Sequence, residues 1–337
     1  MMNYAAKCSR LRRTHATTLM AITLALVASS HVRADEGGVA FWLSGQYPSL
    51  AAVPSTPGWS LVAMPYYYNG SGSGSKSFAK GDSLVTNIKS QSPLLILQPG
   101  YAPETQVAGG QLYIGLGFGY GRNSTQADVS PNPRGTGFGG SDSVWGWTDL
   151  SPVASLAWTR GVNNWMTYLM GNIPVGTYDS TRLANIGIGH GAIDGGGGYT
   201  YLDADSGREF SAVAGITYNW KNGSTGYRNG VDSHLDWAAS QFLSAEWQIG
   251  VGGYVYYQLS NDSYPTDGVL GELKARALGG FKSRIASIGP QVGYLFKING
   301  QDAYLNVRGY GEFWAEHRIE GYALFATLSI PLGGKPR

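Results

Sequence analysis

Two short segments have the residue types of known ligand-binding loops. The run Gly-Ile-Gly-His-Gly-Ala over residues 187–192 fits a glycine pattern that brings phosphate groups against a helix N-terminus when it lies between a strand and a helix. No apolar strand directly precedes the run, and glycines follow at 195–198 where the helix would begin. We therefore interpret residues 187–192 as a flexible loop or the entry to a strand.

The second segment, Asp203-x-Asp205-x-Gly207, resembles the start of a calcium-binding loop. Such a loop closes with a bidentate glutamate at its twelfth residue, but position 214 is Ala214. The spacing therefore predicts a tight hairpin turn rather than a calcium site.

Histidine and serine are the remaining candidates for catalysis. Beyond residue 34, His190, His234 and His317 have no second histidine or carboxylate at a recognised metal-ligand spacing, so no metal site is predicted. His234 and Ser240 share one face of a predicted strand, but six residues along a strand span roughly 20 Å, too far for a hydrogen bond. The sequence predicts no catalytic residue and no cofactor, although partners for His234 from other strands would make a hydrolase the alternative.

The elements that carry these residues are strands, because apolar residues alternate with small or polar ones from Trp59 onward. In residues 111–120, large apolar side chains occupy the even positions and glycines or polar residues the odd ones. In residues 301–315 the same alternation turns Asn306, Arg308 and Glu312 away from the apolar face. One face of each strand is therefore predicted to contact lipid and the other water.

Twelve segments show this pattern, and most connections between them alternate between long and short: 59–69, 83–101, 110–122, 143–160, 163–174, 191–203, 208–221, 231–243, 246–260, 280–297, 301–315 and 318–332. This organisation predicts an all-β fold, an up-and-down antiparallel transmembrane barrel of about 12 strands with unlike rims. A soluble β-sandwich would also alternate, but it would expose a charged face. Charged residues make up only 14% of this chain, against about 25% in soluble domains.

Residues 1–34 have the features of a cleaved secretory signal peptide. Basic residues precede the apolar run 16–28, and Val32-Arg33-Ala34 fits a cleavage site. The only cysteine, Cys8, lies in this leader, so the mature chain would have no disulfides. Five of the 24 basic residues also lie there and all 22 acidic residues follow it, so the mature chain would carry a net charge of −3, which indicates no nucleic-acid partner.

Several strings along the chain resemble a bacterial outer-membrane family labelled "meta-pathway of phenol degradation". They include Ser-Leu-Ala-Ala-Val-Pro at 49–54, Asn-Ile-Pro-Val-Gly-Thr-Tyr at 172–178, the run 183–194, and His-Leu-Asp-Trp-Ala-Ala-Ser-Gln-Phe-Leu at 234–243. The resemblance implies an outer-membrane barrel associated with transport of aromatic or other hydrophobic compounds, and a name that records pathway association rather than catalysis. The chain departs from common outer-membrane barrels by following its last strand with the tail 333–337 instead of an aromatic terminus.

The alternation also predicts which residues face the lumen. If Leu235 and Trp237 contact lipid, their neighbours point inward, and the candidate pore-lining residues are His234, Asp236, Ser240, Tyr254, Tyr256, Tyr304, Asn306, Arg308, Tyr310 and Glu312. Inward tyrosines would stack on aromatic solutes, and the polar residues would either screen solutes or form a network that only braces the wall. Tyr66 to Tyr68 with Trp145 and Trp147 are expected in an interfacial girdle.

The predicted organisation is a signal peptide (1–34), an N-terminal segment (35–58), a barrel (59–332) and a C-terminal tail (333–337). Within the second part, residues 38–57 lack alternation, so they could plug the lumen or form a disordered tether. The predicted function is uptake of small hydrophobic or aromatic molecules across the bacterial outer membrane, with outer-membrane lipid, the solute and the assembly machinery as partners. The alternatives are an outer-membrane lipid-modifying enzyme with His234 as base, and a non-transporting surface protein that binds partners through loops 123–142 and 261–279.

Overall fold

The computed structural model describes residues 40–72, 78–80, 83–130, 138–263 and 282–332. The predicted signal peptide, the C-terminal tail and most of the loop 261–279 lie outside the described residues. No helix among the described residues is long and apolar enough to cross a membrane. The strands are β1 (Gly58–Gly72), β2 (Phe78–Lys80), β3 (Ser83–Ala102), β4 (Gln111–Ser130), β5 (Phe138–Trp147), β6 (Ser151–Arg160), β7 (Asn163–Asn172), β8 (Ala192–Asp203), β9 (Arg208–Asn219), β10 (Asp232–Phe242), β11 (Trp247–Gln258), β12 (Arg284–Ile298), β13 (Gln301–Glu316) and β14 (Glu320–Pro331).

Antiparallel neighbours join these strands into a closed barrel. β1 pairs with β3 on one side and with β14 on the other, which closes the sheet. β5 and β6 both pair with β4, at its two ends, so together they occupy one position in the wall, and β2 only extends the pairing of β3. The described chain therefore forms a barrel of twelve wall positions, as the alternation predicts. Closure gives each wall position a neighbour on both sides, while β2 and β5 each pair on one side only.

The two rims of the barrel differ in the length of their connections. Short turns at 161–162, 204–207 and 299–300 lie at the rim where β1 begins, whereas the loops 173–191 and 220–231 lie at the opposite rim. Short turns face the periplasm in outer-membrane barrels, so β1 begins at the periplasmic rim. The predicted long connection 123–142 is wrong in extent, since β4 continues to Ser130 and β5 begins at Phe138. These polar extensions of β4 and β5 lack an apolar face, and hydrogen bonds between their backbones hold the two strands together.

The outer surface of the barrel is apolar at mid-height and aromatic at the rims. Ile114, Leu169 and Val307 are about half exposed on this surface, and Trp145 and Trp147 are exposed as a girdle requires. The closed barrel pairs its backbone hydrogen-bonding groups internally, as a structure in lipid must, and its outer surface is apolar. These features place the chain in the bacterial outer membrane. Two of the predicted girdle residues are wrong: Tyr66 and Tyr68 face the lumen, because they share the parity of buried Met64.

A charge on the lipid face should destabilise the barrel. Val307 is 50% exposed and pairs with Val292 and Ala326 in the middle of their strands. Val307→Arg should cost roughly 2–4 kcal/mol, as arginine does near a bilayer midplane, while Leu243→Arg at the periplasmic rim should cost about 0–1 kcal/mol. Urea titration of the heat-modifiable gel band in lipid measures both, and equal midpoints would contradict a lipid-facing Val307.

Candidate functional site in the barrel lumen

The lumen contains the N-terminal segment, here residues 40–57, which forms bends and turns rather than a strand. Its upper end packs through Ala40 against Met64, Tyr254 and Phe325. Trp42 and Ala52 pack lower down in a second cluster with wall residues of β6, β7 and β9. Both are almost fully buried, at 1% and 0% exposure. The segment therefore runs through the lumen to the periplasmic rim, where β1 begins.

Polar residues of β8 to β13 hold this segment through its backbone. The Asp236 carboxylate accepts hydrogen bonds from Gly45 N at 2.9 Å and Tyr47 N at 3.2 Å. Arg308 donates from Nε to Gly45 O at 3.1 Å and from its second guanidinium nitrogen to Gln46 O at 3.0 Å. The Asp236 carboxylate thus binds the amide of Gly45, and the Arg308 guanidinium binds its carbonyl. Hydrogen bonds to charged groups are stronger than those between neutral groups.

The same wall continues this pattern lower in the lumen. Leu50 N donates to Glu209 at 3.0 Å, and Ala52 N donates to Thr200 at 3.0 Å. Ser49 lies 2.8 Å from Ser240, and Gln291 donates to Ser49 at 2.8 Å. Several backbone groups of a segment without secondary structure thereby find hydrogen-bond partners inside the barrel, as buried polar groups require.

Gly45 allows the tight turn in this segment. Its φ is +84°, in the region that favours glycine. A Cβ there would also lie 2.8 Å from the ring of Tyr310 and 2.9 Å from that of Tyr254. The turn therefore needs glycine both for its backbone conformation and for the approach of the two tyrosines.

A buried cluster centred on His234 meets the middle of the segment. His234 Nε2 lies 3.0 Å from Asp194, which also accepts a hydrogen bond from Tyr168 at 2.7 Å. The indole of Trp42 stacks on the imidazole with 3.5 Å between ring centroids. Tyr47 adds a second ring 5.6 Å from Trp42, and burial, reinforced by the Asp236 carboxylate, raises the pKa of its phenol. Aromatic stacking and hydrogen bonding thus fix the segment at mid-height.

The structure turns all ten candidate pore-lining residues into the barrel interior. His234, Asp236, Ser240 and Arg308 contact the N-terminal segment, while Tyr254 donates to Glu312 and Tyr304 donates to Gln248. Arg308 also donates to Asn306 at 3.1 Å. Tyr256 and Tyr310 lie in the upper packed cluster. These side chains form a connected network around the segment, and their role in lining a pore stays a prediction.

The arrangement does not support the hydrolase alternative. Ser240 bonds Ser49 and Gln291 rather than His234, whose Nε2 faces Asp194 and Tyr168.

Among the described residues no group of three or more His, Cys, Asp or Glu could hold a metal ion. Asp203 accepts hydrogen bonds from Asp205 N and Ser206 in the tight turn that the spacing predicts.

The opposite side of the lumen, formed mainly by β1, β3, β4, β6 and β7, carries more apolar side chains and leaves three adjacent cavities beside the segment. The outer cavity, of about 150 Å³, lies between Leu43, Tyr68 and Glu312. The middle cavity, of about 180 Å³, lies between Leu43, Ile96 and Met170. The inner cavity, of about 260 Å³, opens towards the periplasmic rim between Tyr47, Tyr113 and Pro331. Neighbouring cavities share lining residues: Ala40, Leu43, Leu94 and Ile186 for the first two, Val62 and Gln98 for the last two.

The comparisons with known proteins agree with this architecture. The model of the family described as "Putative MetA-pathway of phenol degradation" matches residues 73–328. The chain belongs to this family. Among solved structures, the barrel is similar to the COG4313 outer membrane channel from Pseudomonas putida F1, with 13% identity, a TM-score of 0.61, and coverage of 85% of this chain and 97% of that one. No protein of curated function matches the chain significantly.

More distant solved barrels include a FadL homologue from Pseudomonas aeruginosa, with 10% identity, a TM-score of 0.40, and coverage of 88% of this chain and 97% of that one. The beta domain of the Bordetella autotransporter BrkA has 11% identity, a TM-score of 0.45, and coverage of 82% and 100%. The family match confirms the resemblance in the sequence. The fold is similar to that of the Pseudomonas putida outer membrane channel.

Proposed function

We propose that this outer-membrane channel takes up small hydrophobic or aromatic molecules. The observation that carries the proposal is the division of the lumen into two unlike walls. The polar wall is occupied by the N-terminal segment, and the apolar wall leaves three cavities with shared linings from the outer to the periplasmic end. A hydrophilic solute would lose its hydration in the middle cavity, whereas an apolar solute gains from contact with it.

The entrance at the upper rim is polar, in contrast to the more apolar middle cavity. A wide hollow of about 890 Å³ lies above the outer cavity and is lined by polar residues of β1, β3, β4 and β5, among them Lys89 and Arg122. The hollow and the outer cavity share Ser90. A weakly water-soluble solute would thus pass from a hydrated vestibule into the outer and middle cavities, where burial of its apolar surface favours it by about 25 cal/mol per Å².

The test measures solute entry into cells that metabolise toluene but lack this gene. Expression of the protein should raise the initial rate of [14C]toluene accumulation several-fold, while proteoliposomes with the purified protein should swell slowly in arabinose. Unchanged toluene accumulation with correctly inserted barrel would overturn the proposal. Rapid arabinose swelling would also overturn it, because it would show a general aqueous pore.

A further inference from the structure

We infer that the middle cavity is a binding site for one neutral, single-ring aromatic molecule, and that it sets the size and charge selectivity of the channel. The inference rests on the proposed function and adds to it a place, a ligand size and a charge. The volume of about 180 Å³ is the first observation. A dry engineered cavity of about 150 Å³ lined by Leu, Ile and Phe holds benzene. One ring therefore fills the middle cavity, and a second fused ring would have to extend into a neighbouring cavity.

The lining of the cavity determines the preferred charge. Leu43, Leu94, Ile96, Met170 and Ile186 provide apolar contact, and Asp149 is the one charged residue among the described residues that line it. The Asp149 carboxylate accepts hydrogen bonds from Gly176 N at 2.8 Å, Ile188 N at 2.9 Å and Asn172 at 3.1 Å. It is committed to holding the loop 173–191 over the cavity.

An aromatic carboxylate such as benzoate would enter this cavity beside a like charge with no cation in the lining. Burial without a partner makes such a charge costly. For an aromatic ammonium, three of the roughly four acceptor sites of the Asp149 carboxylate are already taken, so little hydrogen bonding would offset the loss of its hydration. Neutral rings avoid both costs, and Gln98 and Ser151 in the lining offer hydrogen-bonding groups to a single hydroxyl group.

The lining of the cavity comes from three independent elements. Leu43 belongs to the N-terminal segment, Leu94 and Ile96 to β3, and Ile186 to the outer loop. Leu43, Leu94 and Ile186 also line the outer cavity, so they lie between the two cavities. A ring that passes from the outer to the middle cavity therefore stays in contact with these apolar side chains.

Gly117 allows the site to be filled with a single substitution. It faces the lumen on β4 and lines the cavity. A Cβ added there would meet Ser151 O at 3.4 Å and Ser151 Cβ at 3.5 Å, which are ordinary contacts. Gly117→Leu should therefore place its side chain in the cavity without disturbing the wall. Gly311→Leu is the matched control, because Gly311 is exposed on the lipid face and its Cβ would meet only Ile288 O at 3.9 Å.

The experiment measures binding of fluorobenzene to the purified full chain in nanodiscs by ¹⁹F NMR. Wild type and Gly117→Leu differ only at the cavity, so partition into lipid cancels. We expect saturable binding in wild type and Gly311→Leu, and at least about tenfold weaker binding in Gly117→Leu. The leucine side chain occupies the space that the ring would fill, and a packed interior does not tolerate the added volume of both. Toluene should displace fluorobenzene, whereas naphthalene, benzoate and benzylammonium should not at equal concentration.

The outcomes separate the site from the proposed function. Equal fluorobenzene binding in wild type and Gly117→Leu, or displacement by benzoate as effective as by toluene, would overturn the site. Intact binding without faster toluene accumulation by cells would overturn the transport function and leave the site. If Gly117→Leu fails to assemble, Leu43→Trp fills the same cavity from the N-terminal segment, outside the strands, and the same loss of binding is expected.

Discussion

Deletion of residues 40–57 should raise the single-channel conductance of the barrel by on the order of tenfold, because a twelve-stranded barrel without a filling approaches the width of an aqueous channel. In the intact chain, Trp42 and Ala52 are buried to at least 99% in the middle of the lumen. The segment contributes no strand, so its removal leaves every pairing from β1 to β14 in place. Planar-bilayer recording of the purified deletion protein measures the change.

Two controls accompany the deletion. Heat-modifiable gel migration shows that the barrel has assembled, and a synthetic peptide of residues 40–57 added to the deletion protein should lower its conductance again. The Asp236 carboxylate and the Arg308 guanidinium remain available to bind the peptide backbone. An assembled deletion protein with wild-type conductance would show that something other than this segment narrows the lumen.

The barrel itself could be predicted from the sequence because each strand carries a local signal. Alternation in residues 111–120 and 301–315 indicates both the strand and the face that meets lipid, and the structure turns Arg308 and Glu312 inward on that parity. The alternation cannot assign side chains to a face where consecutive residues are identical. Three consecutive tyrosines at 66–68 have no parity of their own, so the inward direction of Tyr66 and Tyr68 follows only from pairing with β3 and β14.

The sequence predicts that residues 38–57 either plug the lumen or form a tether, but it does not predict which wall they contact, because their contacts are distant in sequence. Gly45 and Asp236 are 191 positions apart and Arg308 and Gly45 are 263 apart. No period in residues 38–57 indicates which wall receives them. The sequence therefore does not single out Trp42, Glu209 and Thr200, although the inward parity of β8 and β9 is a signal for the last two.

The apolar cavities escape sequence analysis for a related reason. Their linings combine side chains from β1, β3, β4 and β7 with Leu43 of the segment and Ile186 of an outer loop. The glycines on the inward face of β4 predict open space there, but not what surrounds it. A cavity is the space left between elements, and only the packed arrangement defines it.

Asp236→Ala should increase the fraction of molecules in which the N-terminal segment is released from the wall. The substitution removes the acceptor for Gly45 N and Tyr47 N and leaves the buried Arg308 guanidinium without this carboxylate nearby. Hydrogen bonds to a charged group contribute roughly 1.5–3 kcal/mol each. If the state with the segment bound in the lumen loses about 3 kcal/mol of stability, the population of the released state increases about 100-fold.

Cysteine labelling measures this population directly, because the only native cysteine, Cys8, lies in the leader. In a Cys8→Ser background, Ser44→Cys introduces a thiol at a position that is 8% exposed inside the lumen. Its reaction with a membrane-impermeant maleimide should be slow in the otherwise wild-type protein and about 100-fold faster with Asp236→Ala, as long as opening and closing are fast relative to labelling.

Asp302→Ala is the matched control for Asp236→Ala, since it also removes one carboxylate. Asp302 forms an ion pair with Lys297 at 2.8 Å, but both side chains are more than 60% exposed. Exposed pairs contribute about 0–1 kcal/mol, so the labelling rate of Ser44→Cys should be almost unchanged. Asp236→Asn, which keeps one acceptor oxygen, should give an intermediate rate. If Asp236→Ala and Asp302→Ala label equally slowly, the stacking of Trp42 on His234 and the remaining hydrogen bonds, rather than the Asp236 carboxylate, hold the segment in the lumen.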